Sequence, residues 1–167
     1  MQVLPFVAKQ ECFALKGGTA INLFVREFPR LSVDIDLVYL PMKGRDDALQ
    51  EICAALNAIS ADLKAAFKDV ELTEAYKSKR DALRLIVGRN GVQIKVELSP
   101  VLRGTVYEPQ LMEVCAAVED EFGYAEVLVV ALYTTTQPTV YRDKVTLRGG
   151  SVVNTSLYNY FMIILDD

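Results

Sequence analysis

Apolar and polar positions change their period several times along the chain, and each change marks an element. Phe13-Ala14-Leu15 is a short apolar run suited to a buried strand. Ala20, Leu23, Phe24 and Phe28 then recur at helical spacing, so Thr19 to Phe28 reads as a helix that Pro29 ends. From Val33 to Leu40 the period becomes two, the mark of a strand. Successive strand residues face opposite ways, so Val33, Ile35 and Leu37 turn to the core while Asp34 and Asp36 project together from the other face. Pro41 to Arg45 is a turn-like break. Asp46 to Phe67 carries the longest helical stripe, through Leu49, Ile52, Cys53, Leu56 and Ile59. Asp46 and Asp47 suit its positive N-terminal end.

Three further strands are expected, at about Val70 to Ala75, Ala82 to Gly88 and Val92 to Ser99. Arg89-Asn90-Gly91 between the last two is a hairpin signal, because Asn-Gly accepts positive φ at low cost. Pro100, which cannot donate to a ladder, is expected to close the third strand. Leu111 to Val118 reads as a short helix or strand, and Tyr124 to Leu132 as one more buried strand. From Tyr133 the chain becomes rich in Thr, Val, Tyr and Asn, with no helical stripe before Leu157 to Leu165.

Composition narrows the class. The 167 residues suffice for one domain with a real core, and 51% hydrophobic with 24% charged residues fits a globular protein. A net charge of −4 argues against a broadly basic nucleic-acid surface, though Lys77, Lys79, Arg80, Arg84 and Arg89 can still form a local basic groove. The chain has no histidine, which removes Ser-His-Asp and Cys-His catalysis and histidine-ligated zinc. Cys12, Cys53 and Cys115 are scattered without a C-x-x-C spacing, which points to buried thiols in a reducing compartment. The run Val127 to Leu132 is too short to span a membrane, no signal peptide is readable, and a cytoplasmic location is expected.

The candidate chemistry lies in three places. Asp is depleted from strands, so Asp34 and Asp36 on one strand face ask for a reason, and two adjacent carboxylates can share a divalent cation. Gly17-Gly18 before a helix is either a tight strand-to-helix turn or a place where phosphate meets free backbone N–H groups. Beside it, Thr19 can add a hydroxyl, and Lys16 a positive charge if it is not merely solvated. In Val92-Gln93-Ile94-Lys95-Val96-Glu97-Leu98, Gln93, Lys95 and Glu97 share one face. Lys95 and Glu97 form a surface pair of little worth, or else, on a strand next to Asp34 and Asp36, Glu97 is the third carboxylate of a triad able to hold two Mg²⁺ ions. Arg30 can pair with phosphate or simply end the helix, and Ser32 can position phosphate or start the strand. Together these suggest a metal-dependent enzyme acting on a nucleoside triphosphate.

Lys16-Gly17-Gly18-Thr19-Ala20, then Arg30-x-Ser32-x-Asp34-Ile35-Asp36-Leu37, then Ile94-Lys95-Val96-Glu97, occur in that order. The ordered set resembles the AbiEii/AbiGii-type nucleotidyltransferase toxins, within the DNA polymerase beta-like nucleotidyltransferase superfamily. The resemblance covers roughly residues 13–132. It implies an α/β (α+β) nucleotidyltransferase fold, a mixed sheet flanked by helices, with the first helix after the glycine turn. It also implies that Gly17, Gly18 and Thr19 contact the triphosphate, that Asp34 and Asp36 bind Mg²⁺ (or Mn²⁺), and that Glu97 and Lys95 supply the third carboxylate and a charge near the phosphates. The acceptor suggested by the superfamily is RNA, including the tRNA 3′ end, and an antitoxin is the implied protein partner.

The chain departs from that family after residue 132. Members usually continue with a lysine-bearing helix after a Leu-Tyr-like start and then an Arg-Asp-x-x-Asp-like helix. Here Leu132-Tyr133 runs into Thr134-Thr135-Thr136-Gln137-Pro138, and neither helix is readable. Residues 1–132 are therefore expected to form the core and 133–167 an atypical tail, truncated or frameshifted. Transfer is expected to be low or absent, and the apolar edge left behind to favour a homodimer. The alternative to an active transferase is a nucleotide-binding remnant that works through a partner such as an antitoxin.

Overall fold

The computed structural model describes residues 2–24, 34–79, 82–130, 144–146 and 152–154. In chain order the elements are α1 (Leu4–Ala8), β1 (Phe13–Lys16), α2 (Gly17–Phe24), β2 (Asp34–Tyr39), α3 (Arg45–Ala66), β3 (Glu71–Glu74), α4 (Ala75–Ser78), β4 (Arg84–Arg89), β5 (Val92–Arg103), β6 (Gln110–Glu113), α5 (Ala116–Phe122), β7 (Glu126–Val129), β8 (Lys144–Thr146) and β9 (Val152–Asn154). Seven strands form one mixed sheet in the order β3-β4-β5-β2-β1-β7-β6, and β8 and β9 pair separately. The β2–β5 and β1–β7 pairs are parallel, and the other pairs of the large sheet are antiparallel.

Period-two alternation gives the sheet two different faces. One carries Phe13 and Leu15 of β1, Ile35 and Leu37 of β2, Leu85 and Val87 of β4, Val96 and Leu98 of β5, and Val127 and Val129 of β7. These share one core with buried residues of α1, α2, α3 and α5. The stripe of α3 supplies Leu56, Ile59 and Leu63, all fully buried. Each such burial stabilises by about 1.5–3 kcal/mol, whereas an exposed pair such as Lys9–Asp62, at 2.8 Å, contributes about 0–1 kcal/mol. The stripe, not the charges, therefore holds α3 in place. A hydrogen bond from the buried Tyr39 hydroxyl to Glu51 adds a polar tie between β2 and α3. The other sheet face carries the small apolar cluster Ala14, Val38 and Val130, and beside it the charged residues described below.

The elements lie close to the expected ones, with informative exceptions. The Asn90-Gly91 turn is present, with φ of +51° and +76°, and joins β4 to β5 through the Arg89–Val92 pair. Pro100 does not close β5, which runs on to Arg103. Between Leu37–Leu98 and Tyr39–Arg103 the register shifts, so that five steps of β5 stand against two of β2. Pro100 lies inside that bulge, where the ladder needs no N–H from it. The glycine turn is followed not by the first helix but by the second, because the short α1 precedes it, and α2 starts at Gly17 rather than Thr19. The segment read as helix or strand holds both, β6 and then the start of α5. The tail from Tyr133 lies outside the described residues, apart from the paired β8 and β9.

A polar knot secures the β3 edge. The Glu74 carboxylate accepts hydrogen bonds from Ser60 Oγ at 2.6 Å, Lys77 Nζ at 2.8 Å and the Tyr76 hydroxyl at 3.2 Å. The Lys77 bond, then the Ser60 bond, hold its pKa down to about 2 from an ordinary 4.5. The ionised form is thus favoured by folding, and its stabilisation is present above pH 4.5 and lost as the pH falls towards 2. Glu74→Gln is expected to cost about 1–2 kcal/mol at pH 7, since the lysine partners are half exposed. In urea denaturation the gap between the two chains should narrow below pH 4.5 and close towards pH 2; a gap constant with pH would mean that the charge of Glu74 plays no part.

Candidate active site

β1 ends at Lys16 and the chain turns at once into α2 through Gly17, whose φ is +77°. A Cβ on Gly17 would stand 2.8 Å from Asp36 Oδ2, closer than such atoms approach. The turn therefore needs glycine twice over, for its left-handed backbone and for its contact with the neighbouring strand. Thr19, one residue beyond Gly18, is buried, and its hydroxyl donates to the backbone carbonyl of Asp34. That bond fixes the start of α2 against the start of β2. No acidic residue lies in the first turn of α2, so its positive end is not neutralised from within the helix.

The register then gathers charges on the open sheet face. Lys16 stands opposite Asp36 on antiparallel β1 and β2. Asp34 and Asp36 stand beside Lys95 and Glu97 on parallel β2 and β5. Arg84 stands opposite Glu97 on antiparallel β4 and β5. The result is a row across four strands, Lys16–Asp36–Glu97–Arg84, with the Asp34–Lys95 pair alongside. Lys95 Nζ lies 3.1 Å from Asp34 Oδ1, and the Arg84 guanidinium pairs with the Glu97 carboxylate. Burial raises the pKa of Asp36 above its ordinary 3.8; Lys16 opposes the shift, and the Glu97 and Asp34 charges add to it.

Carboxylate oxygens are the donors that Mg²⁺ and Mn²⁺ take. Two observations fit such a cation at the aspartates. Asp36 is half-buried and feels the charges of Glu97 and Asp34, a repulsion that a cation relieves. Asp34 Oδ1 is shielded from solvent and accepts no hydrogen bond, its neighbour being the Lys95 ammonium at 3.1 Å. Glu97 lies in the row, but its carboxylate is turned to Arg84. Among the described residues no three His, Cys, Asp or Glu side chains are gathered closely enough to hold a metal ion as they stand. The structure thus brings Gly17, Thr19, Asp34 and Asp36 together, with Lys16, Lys95 and Glu97 in register beside them. Arg30 and Ser32 lie outside the described residues.

Arg84 is the residue that reading the sequence placed only in a general basic set. Its position was legible: counting outward from the two-residue Asn90-Gly91 turn pairs Arg89 with Val92 and, five steps on, Arg84 with Glu97.

A mixed sheet in which a glycine turn opens a helix against an Asp-x-Asp strand defines the chain as a nucleotidyltransferase-fold protein. The family described as "Nucleotidyl transferase AbiEii toxin, Type IV TA system" matches residues 1–136, and the chain belongs to it. No curated protein matches the chain. Among solved structures it is similar to MenT4, nucleotidyltransferase toxin Rv2826c from Mycobacterium tuberculosis H37Rv, at 18% identity and a TM-score of 0.49. That likeness covers 77% of this chain and 46% of the other, so this chain spans less than half the length of that structure. No helix among the described residues is long and apolar enough to cross a membrane.

Proposed function

We propose that the chain binds a nucleoside triphosphate together with Mg²⁺ (or Mn²⁺) and transfers its nucleotide to an acceptor hydroxyl, with RNA as the acceptor and an antitoxin as its functional partner. The observation that carries this reading is the closeness of the Gly17 turn to Asp36, which sets the N-terminal end of α2, an end suited to phosphate, beside a pair of carboxylates. The backbone N–H groups of Gly17, Gly18 and Thr19 and the charge of Lys16 suit the triphosphate. The Thr19 hydroxyl already serves the Asp34 carbonyl, so Thr19 contributes its N–H and the position of the turn. Arg30 and Ser32, just ahead of β2 in sequence, are proposed as further phosphate contacts. Asp34 and Asp36 hold the cation. When bound, the cation neutralises the charge that builds on the phosphate oxygens.

The remaining work is positioning. In-line transfer needs the attacking hydroxyl and the leaving pyrophosphate on opposite sides of the α-phosphorus. The row offers that layout, with Lys16 and the glycine turn on one side of Asp36 and Glu97 on the other. Glu97 is suited to orient the acceptor hydroxyl or accept its proton, and Lys95 to face the phosphates. No histidine is needed.

The test uses the purified chain with labelled nucleoside triphosphates and total RNA. Label is expected to reach RNA only in the presence of Mg²⁺ or Mn²⁺. Turnover is expected well below the roughly 10 s⁻¹ of a median enzyme, because the helices expected to complete the site are not readable after Tyr133. Cation-dependent nucleotide binding without transfer would select the remnant reading. Absence of cation-dependent nucleotide binding would overturn both.

A further inference from the structure

We propose that Arg84 is a positioning residue of the carboxylate site: it holds Glu97 turned towards β4, and a divalent cation gains Glu97 as a ligand only by taking it from Arg84. This rests on the reading above that Asp34 and Asp36 hold the cation. Each acid of the row and of the pair beside it has a base in register with it: Asp34 has Lys95, Asp36 has Lys16, and Glu97 has Arg84. Three acids and three bases leave these six positions neutral together.

Glu97 is the acid with two destinations. Its Cα is the register neighbour of Asp36 on β2 and of Arg84 on β4. Neighbouring strands lie about 4.8 Å apart, so turning the side chain about its own bonds carries the carboxylate from one neighbour to the other with the backbone still. In this structure it is engaged by Arg84. That is why the three acids share a face and yet form no three-ligand group. The Arg84 side chain is half exposed, at 51%, and that of Glu97 is 32% exposed. A pair so open to water is worth little, and a dication can displace it. Arg84 therefore acts on the cation through Glu97 and sets how readily the third carboxylate becomes available.

The experiment is a titration of the full chain with Mn²⁺ in the absence of nucleotide, reading free Mn²⁺ by electron paramagnetic resonance. Wild type, Arg84→Gln, Glu97→Gln and the double variant form a cycle that isolates the Arg84–Glu97 coupling. Arg84→Gln is expected to bind Mn²⁺ about threefold to fivefold more tightly, the range an exposed ion pair permits. In the Glu97→Gln background the same change should have no effect, and Arg84→Lys should stay within about twofold of wild type. Equal tightening in both backgrounds would reduce the effect to lost positive charge and overturn the proposal, as would unchanged or weaker binding in Arg84→Gln. Asp34→Asn separates the two readings. If Mn²⁺ binding depends on Asp34 but not on Arg84, the proposal fails and the cation site stands. If binding does not depend on Asp34, both fail.

Discussion

Asn in place of Asp36 should weaken cation-dependent nucleotide binding by about 100-fold or more, while the thermal midpoint at pH 7 stays unchanged or rises. Changing an outer-shell partner of a metal ligand commonly costs 10- to 100-fold in affinity, and a direct ligand costs at least as much. The substitution keeps the shape that packs against Gly17, so the turn should survive. Stability moves the other way because the native charge is held at a loss. Burial raises the Asp36 pKa above 3.8; Lys16 opposes this, and Glu97 and Asp34 reinforce it. With the folded pKa above the unfolded one, folding favours the protonated acid. That stability is present below pH 3.8 and lost as the pH rises through the folded value. Asparagine does not titrate, so this loss disappears. Calorimetry with Mn²⁺ and nucleotide, paired with thermal unfolding at several pH values, checks both halves. Unchanged affinity would remove Asp36 from the site, and a much lower midpoint would show that it serves the fold instead.

Gly17→Ala should destabilise the chain by about 2–4 kcal/mol and remove nucleotide binding with it. Alanine at φ +77° carries the left-handed penalty of about 1–2 kcal/mol. The added methyl must also push Asp36 Oδ2 from 2.8 Å, an overpacking strain of about 1–2 kcal/mol. The two parts can be separated. Asp36→Ala removes the oxygen that the methyl meets, so Gly17→Ala in that background should cost only the backbone part. Urea midpoints of the four chains give the comparison. A loss below about 1 kcal/mol for Gly17→Ala alone would show that the turn relaxes without the contact, and that its closeness to Asp36 is not needed.

The central sheet and the aspartate pair were legible because they depend on a period of two, which strand geometry enforces on every half-buried strand. Ile35 and Leu37 are buried and Asp34 and Asp36 are not, as alternation requires. The glycine turn was legible because few residues other than glycine accept its backbone. The length of β5 was not, because a proline forbids a ladder bond but not a bulge, and the bulge depends on how β2 meets β5. The short α1 escaped because its Val3, Leu4 and Val7 cover barely one turn, and their burial comes from tertiary packing. The face shared by Glu97 and Asp36 could be guessed from parity. The engagement of Glu97 by Arg84 could not, since parity says which residues are neighbours and not which neighbour a flexible side chain selects.

The parallel pairing of β2 with β5 also bears on when a working site can exist. Asp34 meets Lys95 in register only after all of α3 and the β4–β5 hairpin have been made. Leu15 of β1 likewise waits for Val129 of β7. On a translating ribosome the β1–β2 pair therefore emerges with both of its edges bare, and the two aspartates lie exposed on an unfinished ribbon. The β4–β5 hairpin is closed locally by Asn90-Gly91, whereas its pairing with β2 spans some sixty residues of sequence. Pairings this distant in sequence form slowly, on the millisecond-to-second scale of non-local sheets. The two aspartates therefore meet their β5 neighbours only once the chain has been made through Glu97.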